Sequence, residues 1–265
     1  SGFLTAVLYG AYHVTDSWQE MWALDITATG WEDVEMTRDE KNVTMVDYKN
    51  LYGLNIGKVY QPNFIEDPDW HLANYEDHGD HYLIPYDYPW YFRSVILPPW
   101  YSCEGQGKAL ISSIEKYSQT GDHKYLEFSK KILAGYNSTI LKDDGWFRGV
   151  SVENNSNNDP MSNGRILNSQ MYCMIDLYTY YEHTGNILAR ELFDYGMPAL
   201  EYGVSDLTAD CGTWYSTEKI VFKRHHEHPE YIDLLRKLYA ISDNPVLKTA
   251  LDKWEQDYRT CEQEA

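Results

Sequence analysis

One kind of break recurs along this chain and sets what it can fold into. Thr120-Gly121-Asp122 follows the apolar-periodic run Leu110 to Tyr117, and Thr184-Gly185-Asn186 follows the run Ile166 to Tyr181. In each, glycine can take the left-handed conformation that ends a helix, and Asp or Asn can cap the next one. Ser242-Asp243-Asn244-Pro245 makes a similar break, with proline opening a last helix. His78-Gly79-Asp80 reads as an earlier copy. Two-helix units at this spacing predict stacked hairpins that bury their faces against neighbours. The expected fold is therefore all-α: an incomplete (α/α) toroid over residues 61–265, preceded by an irregular segment over 1–60. Within that segment Val43 to Tyr48 reads as a strand, so a short extended or β-hairpin piece is expected there.

Composition narrows the partners. With 22 basic against 41 acidic residues the net charge is −19, which argues against nucleic acid and against an anionic membrane surface. A polyanionic substrate would then need a local positive patch, and Lys219, Lys223, Arg224, His225, His226 and His228 form the densest basic run. The 24 Tyr and 9 Trp suit saccharide binding and the inside of a helical toroid equally. Cys103, Cys173, Cys211 and Cys261 lie far apart, without the close pairs a zinc site needs, so no metal is expected. Sequons at Asn42, Asn137 and Asn154 permit glycosylation in a secretory lumen. No apolar run reaches the roughly 18 residues of a membrane span. No signal peptide is visible, and Ser1-Gly2 looks like a cloning scar, which leaves room for a native targeting segment.

The stretch Pro98-Pro99-Trp100-Tyr101-Ser102-Cys103-Glu104-Gly105-Gln106-Gly107 combines flat rings, polar groups and two glycines at the start of a helix. Trp100 and Tyr101 offer faces for a pyranose, Glu104 and Gln106 offer groups for hydroxyls, and Gly105 and Gly107 allow close approach. A buried aromatic turn before a core helix is the competing reading. Two loops are long enough to carry chemistry: Gly145 to Gly164, and Leu207 to Arg224.

Taken together, the Pro-Pro-Trp stretch with Gln106-Gly107 and Thr120-Gly121-Asp122, the segment Leu167-Asn168-x-x-Met171-Tyr172, the turn Asp210-Cys211-Gly212-Thr213-Trp214-Tyr215 and the terminal His228-Pro229-Glu230-Tyr231-Ile232 closely resemble, in the same order, the C-terminal domain of the D-glucuronyl C5-epimerase family. The resemblance spans roughly residues 60 to 260. It implies a helical catalytic domain that works without a cofactor on an acidic, heparosan-like glycan, and that dimerises.

C5 epimerisation removes a weakly acidic proton beside a carboxylate and returns one to the opposite face. Two acid/base groups must flank the sugar, with a cation or donor to offset the developing charge. The resemblance places Tyr215 at a family tyrosine linked to this chemistry. Elsewhere the chain departs from the pattern. The family's Glu-Tyr pair is replaced near Asp159, with Glu153 as the other acidic candidate in that loop, and its terminal tyrosine is replaced by Glu227, or by His226 if one residue is inserted. Asp159 before Pro160 is also a common turn former. Catalytic candidates are therefore Tyr215, Glu227, His226 and Asp159. For substrate binding the candidates are Trp100, Tyr101, Glu104, Gln106, Arg165, Asn168, Tyr172, Lys219 and His228, with Arg93 and Arg148 as further basic residues near the motifs. Gln106 and Asn168 could instead cross-link helices through buried hydrogen bonds. Competing functions are a polysaccharide lyase that begins with the same proton abstraction, and a carbohydrate-binding relative that has lost the chemistry.

Overall fold

A computed structural model describes residues 66–87, 98–152, 165–219, 221–225 and 229–261, together with the backbone of six strands outside those ranges. The chain divides into two compact units: residues 1–63, 85–100 and 154–162, and residues 64–84, 101–153 and 163–265. The first unit is built of antiparallel hairpins. Strand β1 (Thr5–Ala11) pairs with β2 (Met21–Thr27), and β3 (Glu35–Arg38) pairs with β4 (Thr44–Asp47), which covers the strand expected near Val43.

The second unit opens with helix α1 (Pro68–Ala73) and the hairpin β5 (Glu76–Asp77) and β6 (Tyr82–Leu83). His78-Gly79-Asp80 is the turn of that hairpin, so it is not a break between helices. Gly79 has φ 87°, the side chain of Asp77 accepts the Gly79 N–H at 2.7 Å in an Asx turn, and the His78 N–H donates to His81 O at 3.0 Å across the hairpin turn. Strands β7 (Trp90–Phe92) and β8 (Ser94–Ile96) pair within the first unit. From there the second unit resumes with three helical hairpins.

The first hairpin is α2 (Cys103–Thr120) and α3 (His123–Tyr136). Strands β9 (Lys142–Asp143) and β10 (Trp146–Phe147) lead to the second, α4 (Leu167–Thr184) and α5 (Ile187–Asp206). A three-stranded sheet of β11 (Thr208–Ala209), β12 (Gly212–Trp214) and β13 (Phe222–Arg224) precedes the third, α6 (Glu230–Ser242) and α7 (Pro245–Cys261).

The breaks between paired helices work as cap chemistry predicts. Gly121 and Gly185 end α2 and α4 in the left-handed region, at φ 68° and 66°, and their N–H groups close back on Tyr117 and Tyr181. Asp122 and Asn186 then accept the N–H groups of Lys124 and Leu188. Connections this short force each pair to run antiparallel, and the Cys103–Cys173 bridge together with Tyr231 near Glu104 and Tyr172 brings the starts of α2, α4 and α6 to one end, so these three point the same way.

These three helices pack side by side in one layer, α2 on α4 and α4 on α6, while α3, α5 and α7 pack in a second. The main apolar core among the described residues lies between the layers, with a smaller cluster of Leu83, Tyr101 and Leu141 beside it. The main core takes Leu110 and Ile114 from α2, Met174 and Leu177 from α4, Phe193 and Leu200 from α5, and Leu238 and Trp254 from the last pair. The described chain is thus mostly helical and built of helical hairpins. Short sheets between the hairpins correct the all-α expectation: strands of two or three residues form where the chain crosses from one hairpin to the next.

Two buried glutamines join these layers. Gln106 accepts the N–H of Ile84 at 3.1 Å and donates to Tyr82 O at 2.7 Å and Ile132 O at 2.9 Å, tying α2 to β6 and α3. Gln170, at the same position of α4, accepts the N–H of Phe147 at 2.7 Å and donates to Gly145 O at 3.0 Å and Gly196 O at 3.1 Å. Disulfides Cys103–Cys173 and Cys211–Cys261 add covalent ties from α2 to α4 and from the β11–β12 turn to the end of α7. Among the described residues no helix is long and apolar enough to cross a membrane.

Candidate functional site

Because α2, α4 and α6 run in parallel, their first turns lie at one end of the layer, and the polar residues of those turns gather there. Ser102 caps α2 by accepting the N–H of Glu104, which places the Glu104 side chain at the start of that helix. From the first turn of α4, the Ser169 hydroxyl donates a short hydrogen bond to Glu104 Oε1. The Cys103–Cys173 bridge joins the neighbours of Glu104 and Tyr172 and fixes the two helices at this point.

The electrostatics mark the cluster as unusual. Burial, with the charge of Glu230 added, raises the Glu104 carboxyl to about 7 against the opposing hydrogen bond of Ser169 and the charge of Lys108. Two turns into α4, burial likewise raises Asp176 to about 7, opposed by Lys108 and reinforced by Glu104 and Glu66. Tyr172 is pushed up to about 12, first by burial and then by Glu230, Glu104 and Asp176. Burial also raises Glu230, with Lys223 opposing. Tyr231 is raised well above the ordinary phenol range by burial and by the surrounding Tyr215, Glu230, Glu104 and Tyr172. Its hydroxyl is buried and has no hydrogen-bond partner among the described residues, as does Oδ1 of Asn168.

The β12 turn closes the cluster from the other side. The carbonyl of Tyr215 accepts the N–H of Leu167, the first residue of α4, at 3.0 Å, and Ser216 bridges to Ile166. Lys223 on β13 places its ammonium 5.5 Å from the centre of the Tyr215 ring. Tyr215, after β12, and Glu104, on α2, are therefore held around the start of α4, which itself carries Asn168 and Tyr172.

The remaining candidates lie elsewhere or have other partners. Gln106 is buried and its amide is fully used in the joint to β6 and α3, the cross-linking reading. Tyr101 is buried, with its hydroxyl on Glu76 at 2.6 Å, and Trp100 stacks on Tyr86 with ring centres 4.3 Å apart. The Pro-Pro-Trp stretch is thus a buried aromatic turn at these two rings. Arg165 pairs with Asp143 at 3.2 Å and Asp144 at 3.6 Å, Arg148 lies 3.7 Å from Asp143, and Lys219 pairs with Asp206 at 3.0 Å. Among the described residues the basic run splits in the same way: His225 is buried against Trp254, Arg224 is exposed, and Lys223 reaches the cluster. Asp159, Glu153, Arg93, His226, Glu227 and His228 lie outside the described residues. Among the described residues no cluster of His, Cys, Asp and Glu could hold a metal ion.

Sequence reasoning did not single out Asp176, Glu230, Tyr231 or Ser169 as site residues. One signal was available for Asp176. Gly107 was read as a place for close approach, and what approaches is a side chain: a Cβ there would overlap the Asp176 carboxylate and lie 2.9 Å from Tyr136 Oη.

Residues 76–256 match the family described as D-glucuronyl C5-epimerase C-terminus, and the chain belongs to that family. Among solved structures it is similar to a sugar epimerase from a ruminal bacterium, at 13% identity and a TM-score of 0.48, over 72% of this chain and 51% of that one. It is also similar to a family 76 glycoside hydrolase from a bovine Bacteroides thetaiotaomicron strain, at 12% identity and a TM-score of 0.43, over 68% and 38%. The chain spans about half or less of the length of these two proteins.

Proposed function

We propose that this chain is the catalytic part of a uronosyl C5-epimerase acting on a glucuronate-containing polysaccharide by proton abstraction and return at C5. The observation that carries the reading is the position of Tyr215. By its motif it lies at or beside the family's turn tyrosine, and its carbonyl accepts the N–H that starts α4, beside Asn168 and Tyr172. A uronate ring bound there would present one face to Tyr215, which moves a proton at C5. Lys223, beside that ring, offsets charge that builds on the substrate carboxylate as the carbanion forms. The Asn168 amide and the Tyr172 hydroxyl bind ring hydroxyls. This chemistry uses side chains alone, without a cofactor.

The net charge of −19 makes this positive element a local one, so an acidic glycan is held by few contacts and nucleic acid is disfavoured. Two disulfides and the sequons support an extracytoplasmic or secretory location, and a homodimer belongs to the same reading.

The test is incubation of the full chain with an unsulfated glucuronate polysaccharide in heavy water. The expected result is deuterium at C5 without chain cleavage, with net epimerisation lost about 10²–10⁴-fold in Tyr215→Phe. Unsaturated ends detected by absorbance would make the protein a lyase, and neither signal with any uronate glycan would favour a binding role.

A further inference from the structure

We infer that Glu104 is the second proton-transfer residue of this site, acting from the α2 side on the face of the sugar opposite Tyr215, with Ser169 holding its carboxylate in place. The inference rests on the epimerase reading and supplies the group that reading leaves unnamed. Its support is geometric. Leu167, Asn168 and Ser169 form the first turn of α4. Leu167 is bonded to the Tyr215 carbonyl and Ser169 to the Glu104 carboxylate, so the two reach the same turn from different neighbours. Between them lies the fully buried Tyr231 hydroxyl, with no hydrogen-bond partner among the described residues and with Tyr215, Glu230, Glu104 and Tyr172 around it. A buried, unpaired hydroxyl inside a ring of ionisable groups is what a polar ligand would satisfy.

A purely structural role explains Glu104 poorly. To accept from Ser169 a neutral glutamine would serve, and Gln106 and Gln170 show that buried glutamines join these same helices. A carboxylate at this place stands near Glu230 and Asp176, which raises the cost of its charge. Groups that are costly to the fold and gathered at one end of it are better explained by chemistry.

The step balances within the side chains. Glu104 carboxylate takes the C5 proton, and the C5–H electron pair moves into the C5–C6 bond to leave an enediolate. The Tyr215 hydroxyl then gives its proton to the opposite face of C5 as the pair returns. Glu104 is left protonated and Tyr215 as phenolate, and both reset by exchange with water. The reverse reaction exchanges their roles.

Two-sided proton transfer has a specific test. The probes are glucuronate-containing oligosaccharides and their C5-epimerised counterparts, each incubated in heavy water with the full chain. In Glu104→Gln, exchange from the epimer whose C5 hydrogen faces Glu104 is expected to fall about 10²–10⁴-fold, while exchange from the other, driven by Tyr215, stays within about tenfold. Tyr215→Phe gives the mirror image. Undiminished exchange from both epimers in Glu104→Gln, or equal loss from both in a variant with unchanged Tm, overturns the role given to Glu104. Should Glu104→Gln fail to fold, Ser169→Ala is read by its pH profile. Facing Glu104 are Ser169, Tyr172 and Asp176 of α4, Glu230 and Tyr231 of α6, and Lys108 of α2. Of these, Ser169 favours the ionised form by hydrogen bonding, so its loss should move the rising limb of kcat/KM upward from about 7. An unmoved limb overturns the inference. Absence of exchange in the wild type with either epimer fails the epimerase reading itself, and is thereby distinguished from a failure of Glu104 alone.

Discussion

Glu104 and Gln106 stand two residues apart on one turn of α2, and their surroundings are opposite. Every hydrogen-bonding atom needed at Gln106 is met by backbone groups of β6 and α3, and the arrangement recurs at Gln170. At Glu104 burial raises the carboxyl to about 7, with Asp176, Glu230 and a Tyr231 hydroxyl that has no hydrogen-bond partner among the described residues around it. A satisfied polar network rigidifies a core, whereas a partly satisfied one holds its groups away from their preferred states. The glutamine joints therefore stabilise the hairpins, and the cluster at the helix starts opposes that stability.

That contrast can be broken by experiment. The largest effect is expected where a covalent tie links the two regions. Replacing Cys103 and Cys173 by alanine opens a cross-link over a sequence separation of 70, and should cost about 2–5 kcal/mol in denaturant unfolding. C5 exchange per folded molecule should fall as well, because the spacing of Glu104 and Ser169 loosens. Exchange unaltered at full occupancy of the folded state would show that packing alone sets that spacing. Next comes Gln106→Ala, which strands Ile84 N–H and two carbonyls in the interior. A loss of roughly 2–4 kcal/mol is expected, with exchange per folded molecule unchanged. If activity fell while stability held, Gln106 would belong to the site after all.

Asp176→Asn should give the smallest change and the opposite sign. Asp176 and Glu104 titrate at about 7 when folded, above the 3.8 and 4.5 of free carboxyls, so the folded state holds their protons more tightly. Their contribution is fully present below about pH 4 and is lost as pH rises through about 7. The wild-type Tm should accordingly decline between pH 5 and 8. Asp176→Asn should flatten that decline and be more stable at pH 8 by ~1–3 kcal/mol. A variant less stable than wild type at pH 8 would mean that the Asp176 carboxylate supports the fold.

Much of the fold was legible because its boundaries rest on local chemistry. Glycines at 121 and 185, and the Asp or Asn after each, terminate and restart helices through bonds spanning a few residues. The same reasoning misread His78-Gly79-Asp80, since a left-handed glycine beside Asp serves a β turn as readily as a helix end. The site was less legible. Tyr215, Asn168, Tyr172 and Glu104 lie within recognisable motifs. Ser169 and Glu230, in the first turns of α4 and α6, and Asp176, two turns into α4, gain meaning only when three helices far apart in sequence are packed together. Burial decides such cases: an amide and a carboxyl two residues apart look equally suited to a sugar hydroxyl until their partners are known. The disulfide pairing was closed to sequence for a simpler reason, because four cysteines permit three pairings.

The reach of Gln106 backward to Tyr82 and Ile84 bears on how this architecture can be recombined. A helical hairpin looks like the natural module for exchange between relatives, yet α2 and α3 carry their bonds to residues that precede them in the chain. A chimera cut just before Cys103 would separate Gln106 from two of its three partners, while one cut before Glu76 would carry them along. The exchangeable unit is a β hairpin followed by two helices, and the same boundary recurs with β9, β10 and Gln170.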